Sequence, residues 1–289
     1  MLIVLITLLT VIIPGVAAGL VAYRWPQAAP TAPKLSVQKV EHEVRRHPRF
    51  AAFTRSRLDP NSVTGLLLSA AALVFVVGTA LMALVLVMIH TNTGFARLDR
   101  SASLFGAHHA TALSTRLLRF YTQLGGAYVI VPLGVIVAVI EAIRQRSVAL
   151  VAFLTLVVGG QFLVANVIKA IVDRARPDFD QLTGFSGPSF PSGHAVASAA
   201  CLAAFALVIG RRRSLKVRAI LAGLAVGLAT GIACCRVMLG VHWLTDVLGG
   251  LALGWAWFAL CSIAFGGYQL RFGAPAKTVE ETVTSGRTL

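Results

Sequence analysis

Apolar residues run along this chain in long blocks. Seven blocks approach the roughly 20 residues that a helix needs to cross a bilayer, at 1–23, 63–89, 120–140, 147–168, 194–210, 219–235 and 243–265. The second, from Val63 to Ile89, carries no charge. The fifth and sixth are shorter but end against charge, as at Arg211-Arg212-Arg213. Residues 1–23 lack the basic start of a signal peptide, and positive charge follows the run, so they read as an anchor. The pattern predicts an all-α, polytopic transmembrane helical bundle.

Composition agrees. Hydrophobic residues make up 57% and charged residues 13%, where a soluble domain is nearer one-quarter charged. That excludes an ordinary cytosolic enzyme, a disordered chain and a small disulfide scaffold. Cys201, Cys234, Cys235 and Cys261 all sit inside apolar runs, as unpaired packing residues do.

Charge sets the orientation. With seven spans, one set of loops (24–62, 141–146, 211–218 and 266–289) holds 18 Lys and Arg, and the other (90–119, 169–193 and 236–242) holds 8. The first set is expected inside and the C-terminus with it. The net charge of +15 is then the positive-inside signal plus attraction to anionic lipid headgroups at the cytoplasmic face. No nucleic-acid module is visible, and no nucleic-acid partner is expected. Residues 24–62 read as a basic cytoplasmic linker, with Pro26, Pro30 and Pro33 followed by a basic stretch from Lys39 to Arg57. Residues 266–289 read as a polar, disordered cytoplasmic tail. The stretch 90–119, with His90, His108 and His109, is expected outside at the interface, without a metal role.

Ionisable residues at the edges of spans usually mark function. Three clusters stand there. Lys169 closes the fourth span and Arg176 follows it; Pro191-Ser192-Gly193-His194 opens the fifth; Arg236 ends the sixth, and His242 and Asp246 open the seventh. The alternation of spans, assigned without these residues, brings all three to the outer face. Lys169, Arg176 and Arg236 would repel one another unless an anion lay between them, and a tetrahedral phosphate suits forked Arg donors and a Lys point charge. Ser192 and Gly193 precede a helix, where free N–H groups favour an anion. His242 and Asp246, four apart on a helix, share a face. The carboxylate would fix the imidazole tautomer and leave the other ring nitrogen to attack, while His194 could protonate a leaving oxygen. Each cluster alone has a plainer reading: a structural His–Asp hydrogen bond, a turn before a helix, a helix end with a basic loop. Asp173, Asp178 and Asp180 near the first cluster have no histidine at ligand spacing, and Asp173 can pair locally with Arg174 or Arg176. No metal and no cofactor is expected.

These residues, KAIVDRARP from Lys169, PSGH from Pro191 and CRVMLGVHWLTD from Cys235, resemble the motifs of the type 2 phosphatidic-acid phosphatase superfamily. Its members are integral-membrane lipid phosphatases that also resemble vanadium haloperoxidases. The resemblance covers about 63–265 and implies a six-helix phosphatase core, with residues 1–23 as one extra N-terminal transmembrane helix. It implies that His242 forms a phosphohistidine, helped by Asp246, with His194 as proton donor. It implies Lys169, Arg176, Ser192, Gly193 and Arg236 as phosphate ligands, without metal. Cys235 stands where the family usually has Ser; a thiol is a weak donor, so one phosphate contact is expected to be weaker.

The expected activity is hydrolysis of a membrane lipid phosphate ester or diphosphate at the extracytoplasmic face, in the plasma membrane. Polyprenyl diphosphate, phosphatidic acid and phosphatidylglycerol phosphate are the substrates considered. A lipid phosphotransferase using the same intermediate and a non-enzymatic anion-binding or transport protein are the alternatives. Substrate, oligomeric state and the purpose of residues 1–62 are not legible.

Overall fold

The computed structural model describes residues 1–28, 63–145, 147–179, 181–211 and 213–270. The expected linker beyond residue 28, the tail beyond residue 270, and Asp180 lie outside them. The described residues form helices without strands: α1 (Leu2–Ala28), α2 (Val63–Thr91), a 3-10 turn (Gly94–Leu98), α3 (Asp99–His108), α4 (Ala112–Gln123), α5 (Ala127–Gln145), α6 (Val148–Val172), α7 (Gly193–Gly210), α8 (Leu215–Met238) and α9 (Leu244–Leu270). Among the described residues seven stretches are long and apolar enough to cross a membrane, and this is an integral membrane protein.

Burial ranks the spans. Within their most apolar windows, 61% of α7, 56% of α8 and 50% of α9 is buried, against 33% or less for the other spans. The central helices are therefore α7, α8 and α9, while the outer helices present side chains such as Leu9, Leu84, Val135 and Leu163 outward, as lipid requires. Small residues set the central spacing. A Cβ at Gly254 of α9 would lie 2.5 Å from the Val196 carbonyl of α7, and one at Gly250 would lie 2.9 Å from that of Ser192. Lipid gives apolar side chains no reason to leave it, so close backbone approach is what holds such helices together.

The same device docks the N-terminal helix. Gly15 of α1 faces Gly223 and Gly227 of α8, with Cβ-to-backbone distances of 2.9 and 2.6 Å from the two sides of the Gly15–Gly223 contact. Ile3 is buried in the apolar cluster that holds Ala233, Val237 and Leu239. Gly223, Gly227 and Gly231 thus serve packing within the chain.

One expected element differs. The sequence places the third span at 120–140 after an outer interfacial stretch, but the apolar stretch runs from Ala112 to Arg144 as α4 and α5, broken at Leu124-Gly125-Gly126. A capping box starts α4: the Ser114 amide donates to Thr111 Oγ1 at 3.2 Å, and the Thr111 amide donates to Ser114 Oγ at 2.9 Å. Such a box satisfies two N–H groups locally, so the helix begins eight residues before the apolar block does.

Candidate active site

All eight candidate residues lie at one end of the bundle, where α6 and α8 finish and α7 and α9 begin. Helix α6 stops at Asp173, which takes a left-handed conformation (φ 41°, ψ 44°) and returns its N–H to the Lys169 carbonyl. The chain then leaves the helix, and Arg174 and Arg176, two apart, both turn toward the start of α9. The loop is tied back on itself: the Ser189 amide donates to the Arg174 carbonyl at 2.8 Å, and Ser189 Oγ to that of Ala175 at 3.0 Å. Lys169 Nζ donates to the Pro188 carbonyl at 2.6 Å. Arg176 donates to the carbonyls of Gly187 (2.8 Å), Ser186 (2.9 Å), Pro188 (3.2 Å) and Val241 (2.6 Å).

Between α8 and α9 the chain reverses within five residues. Gly240 has φ +68°, a region costly for any side chain, and this tight turn delivers His242. The imidazole is 2% exposed. Its Nδ1 lies 3.4 Å from Asp246 Oδ2, and its Nε2 lies 3.3 Å from Arg176 Nη1. Asp246 Oδ2 also accepts from the Trp243 amide at 2.9 Å. With Nδ1–H donated to the carboxylate, Nε2 carries the lone pair and faces a guanidinium donor. Burial pushes the His242 pKa down to about 4, although the hydrogen bond and charge of Asp246 oppose this. The ring is therefore neutral at pH 7. Burial likewise lowers the pKa of Arg176, opposed by Asp246; an arginine so lowered stays cationic.

Arg236 occupies the last turn of α8 and is 4% exposed; its buried Nε has no hydrogen-bond partner. Ser192 is the N-cap of α7. Its amide donates to the Asp246 carbonyl at 3.1 Å, stitching α7 to α9, whereas its buried Oγ has no partner. A Cβ added at Gly193 would meet nothing within 4 Å, so packing does not demand glycine there. His194, in the first turn of α7, lies within electrostatic reach of Arg236, His242, Arg176 and Lys169. The Gly125-Gly126 break in the third span passes beside it, where a Cβ on Gly126 would lie 3.4 Å from His194 Nε2. The arrangement is a neutral, oriented imidazole among cations, with buried donors lacking partners: a place for a tetrahedral anion.

Four residues at this end were not among the candidates read from the sequence: Asp99, Ser103, Arg174 and Thr245. The sequence offered Arg174 or Arg176 as a local partner for Asp173, but the Arg174 nitrogens reach Asp99 Oδ2 and Asp246 Oδ1 instead, each at 2.7 Å. Its signal was in view, as a third cation beside two motif cations. Asp99 and Ser103 gave none, because they lie more than 130 residues from Thr245 and His242, and Asp99 75 from Arg174, in a stretch without an apolar block. Cys235 is fully buried in the apolar cluster that includes Leu118, Leu239 and Val241. His109 stacks on Phe105 with ring centroids 4.2 Å apart.

Comparison with known proteins places this geometry. The model of the PAP2 superfamily matches residues 147–268. A lipid A 1-phosphatase of Rhizobium johnstonii is 41% identical over 130 residues, 42% of this chain and 48% of that protein. Phosphatidylglycerophosphatase B of Bacillus subtilis is 35% identical over 144 residues, 48% of this chain and 69% of that protein. The chain thus spans about half the length of the Rhizobium relative and rather more of the Bacillus one. Among solved structures, the transmembrane PAP2-type phosphatidylglycerolphosphate phosphatase of B. subtilis superposes with a TM-score of 0.59 at 27% identity, covering 68% of this chain and 98% of that one.

Proposed function

This chain belongs to the PAP2 superfamily, and from that premise we propose that it is a membrane lipid phosphatase working through a phosphohistidine on His242. The observation that carries the reading is the His242 ring, held neutral against Asp246 with Nε2 toward Arg176, beside the partnerless Arg236 Nε and Ser192 Oγ. Nε2 attacks phosphorus in line with the lipid-side oxygen. Lys169, Arg176, Arg236, Ser192 Oγ and the amide of Gly193 take the equatorial oxygens, where charge gathers. Cleavage of the P–O bond sends its electron pair to the lipid oxygen, which takes a proton from His194. Water then gives a proton to His194 and attacks the phosphohistidine, releasing phosphate and restoring both rings. In this reading no metal takes part.

The site opens at the extracytoplasmic face of the plasma membrane, with the C-terminus inside. Residues 63–265 are the phosphatase unit and α1 its added anchor. A site at the ends of spans admits a lipid from the bilayer and releases phosphate to water. Similarity to a lipid A 1-phosphatase and a phosphatidylglycerophosphatase supports a lipid phosphate as substrate.

The test is phosphate release by detergent-purified protein, in EDTA, from polyprenyl diphosphate, phosphatidic acid, phosphatidylglycerol phosphate and lipid A, beside His242→Ala. Release that disappears in the variant is expected. Release that survives it removes the histidine mechanism, and loss of wild-type activity in EDTA removes the metal-free one. A folded wild type silent on every lipid both with and without EDTA points to transfer onto another acceptor.

A further inference from the structure

We propose that Asp99, Ser103 and Arg174 are positioning residues that clamp the nucleophile: α3 grips the His242–Asp246 turn at both ends, and Arg174 locks the carboxylate. The inference rests on the phosphohistidine reading and adds to it residues outside its motifs.

Asp99 and Ser103 are four apart on α3 and so share a face; they are 4% and 0% exposed. Ser103 Oγ donates to the His242 carbonyl at 3.3 Å. Asp99 Oδ1 accepts from the Thr245 amide at 2.8 Å, and its Oδ2 accepts from Thr245 Oγ1 at 2.6 Å and from Arg174 Nη2 at 2.7 Å. Arg174 Nη1 donates to Asp246 Oδ1 and to Thr245 Oγ1, both at 2.7 Å. The other Asp246 oxygen is held by His242 Nδ1 and the Trp243 amide. Both oxygens of a fully buried carboxylate are therefore engaged, and the group cannot rotate without breaking a charge-assisted bond.

The charges explain why an arginine and a second carboxylate are needed. A buried carboxylate without a partner takes up a proton. Arg174 keeps Asp246 ionised, hence able to accept Nδ1–H and leave the Nε2 lone pair exposed. Arg174 alone would cancel the charge of Asp246. Asp99 on its other fork returns one net negative charge, which the His242 ring needs as it becomes cationic on taking phosphorus. The planar guanidinium spans both carboxylates with separate nitrogens, which an ammonium point charge does less well. Arg174 is turned to these carboxylates and to the Trp243 ring, 5.7 Å from its centroid, so it acts through Asp246.

The test uses the full chain in detergent, 15N-labelled at histidine, as wild type, Asp99→Asn, Arg174→Gln, Arg174→Lys and Arg176→Lys. Two readouts separate orientation from general damage. In steady-state kinetics on the best substrate of the panel, Asp99→Asn and Arg174→Gln are expected to lower kcat roughly 10- to 100-fold, the range seen when the partner orienting a ligating histidine is lost. KM and inhibition by inorganic phosphate should stay within about twofold, whereas Arg176→Lys should weaken both. Arg174→Lys should recover part of kcat. In the NMR spectrum, the Nδ1-protonated tautomer of His242 should be present in the wild type and lost in Asp99→Asn and Arg174→Gln. An unchanged kcat with an unchanged tautomer overturns the clamp. So does a parallel loss of kcat, phosphate inhibition and thermal midpoint, which is the mark of mere misfolding. If the wild type releases no phosphate, the phosphatase reading fails, and the tautomer still decides: lost in both variants it supports the clamp, kept in both it overturns it.

Discussion

In the proposed mechanism His242 must be buried to escape water and neutral to attack. Burial meets both by disfavouring the charged ring more than Asp246 favours it, which brings its pKa to about 4. The ring thus protonates only as pH falls through about 4, well below the ordinary 6.5. Because the folded value is depressed, the associated stability is full above 6.5 and is lost as pH falls toward 4. An NMR titration of the His242 ring should have its midpoint near 4, and a midpoint at 6 or above would contradict the burial argument. Gly193 gives a second prediction at this scale. A methyl there meets nothing in the protein, so Gly193→Ala should leave the thermal midpoint unchanged or slightly raised. If the phosphate lies where we propose, the same methyl should raise KM several-fold. An unchanged KM would take Gly193 out of the cradle.

Among the elements, α7 and α9 matter through the distance between them. Gly250 and Gly254 let α9 approach α7 until the Ser192 amide reaches the Asp246 carbonyl at 3.1 Å. The N-cap of α7 is thereby registered against Asp246 on α9, which in the proposed mechanism sets the phosphate cradle against the nucleophile's partner. A valine at Gly254 would put its Cβ 2.5 Å from the Val196 carbonyl, against backbone that cannot swing aside. Gly254→Val should therefore destabilise by about 1–3 kcal/mol or more, the range for overpacking. It should also reduce phosphate release although residue 254 is two turns from Asp246. Thermal unfolding and kinetics on the same preparation check both, and full activity would show that α7 and α9 are not coupled in this way.

On the scale of the whole molecule, the ends of the bundle differ in kind. One end gathers Lys169, Arg174, Arg176, Arg236, His194, His242 and Asp246; the other carries Arg211 and Arg213, between α7 and α8. Positive-inside bias is the ground on which we propose that the site faces outward. Ser186 is exposed beside the site and Arg213 at the opposite end, and the native cysteines are buried or half-buried. In cells, an impermeant thiol reagent should label Ser186→Cys directly and Arg213→Cys only after permeabilisation. The reverse pattern would invert the proposed topology.

The helical membrane architecture was legible in the chain alone, because each span carries its own signal: lipid demands about 20 apolar residues wherever a helix crosses. As candidates, Lys169, Arg176, Arg236, His194, His242 and Asp246 were legible too, since an ionisable group at the edge of a span is costly enough to stand out, and Ser192 and Gly193 by preceding a helix. The beginning of the third span was not, because α4 starts from a capping box on a stretch with little net apolar character. Neither was the role of Asp99 and Ser103, which are ordinary polar residues in sequence. They acquire meaning only from three-dimensional neighbours, Thr245 and His242, whose positions depend on how α3 packs beneath the α8–α9 turn. Likewise the seat of α1 on α8 was decided by tertiary structure, for glycines at four-residue spacing declare a close approach without naming the partner. Chemistry that pays its solvation cost locally can be read from the chain, whereas chemistry balanced by distant residues appears only when the fold brings them together.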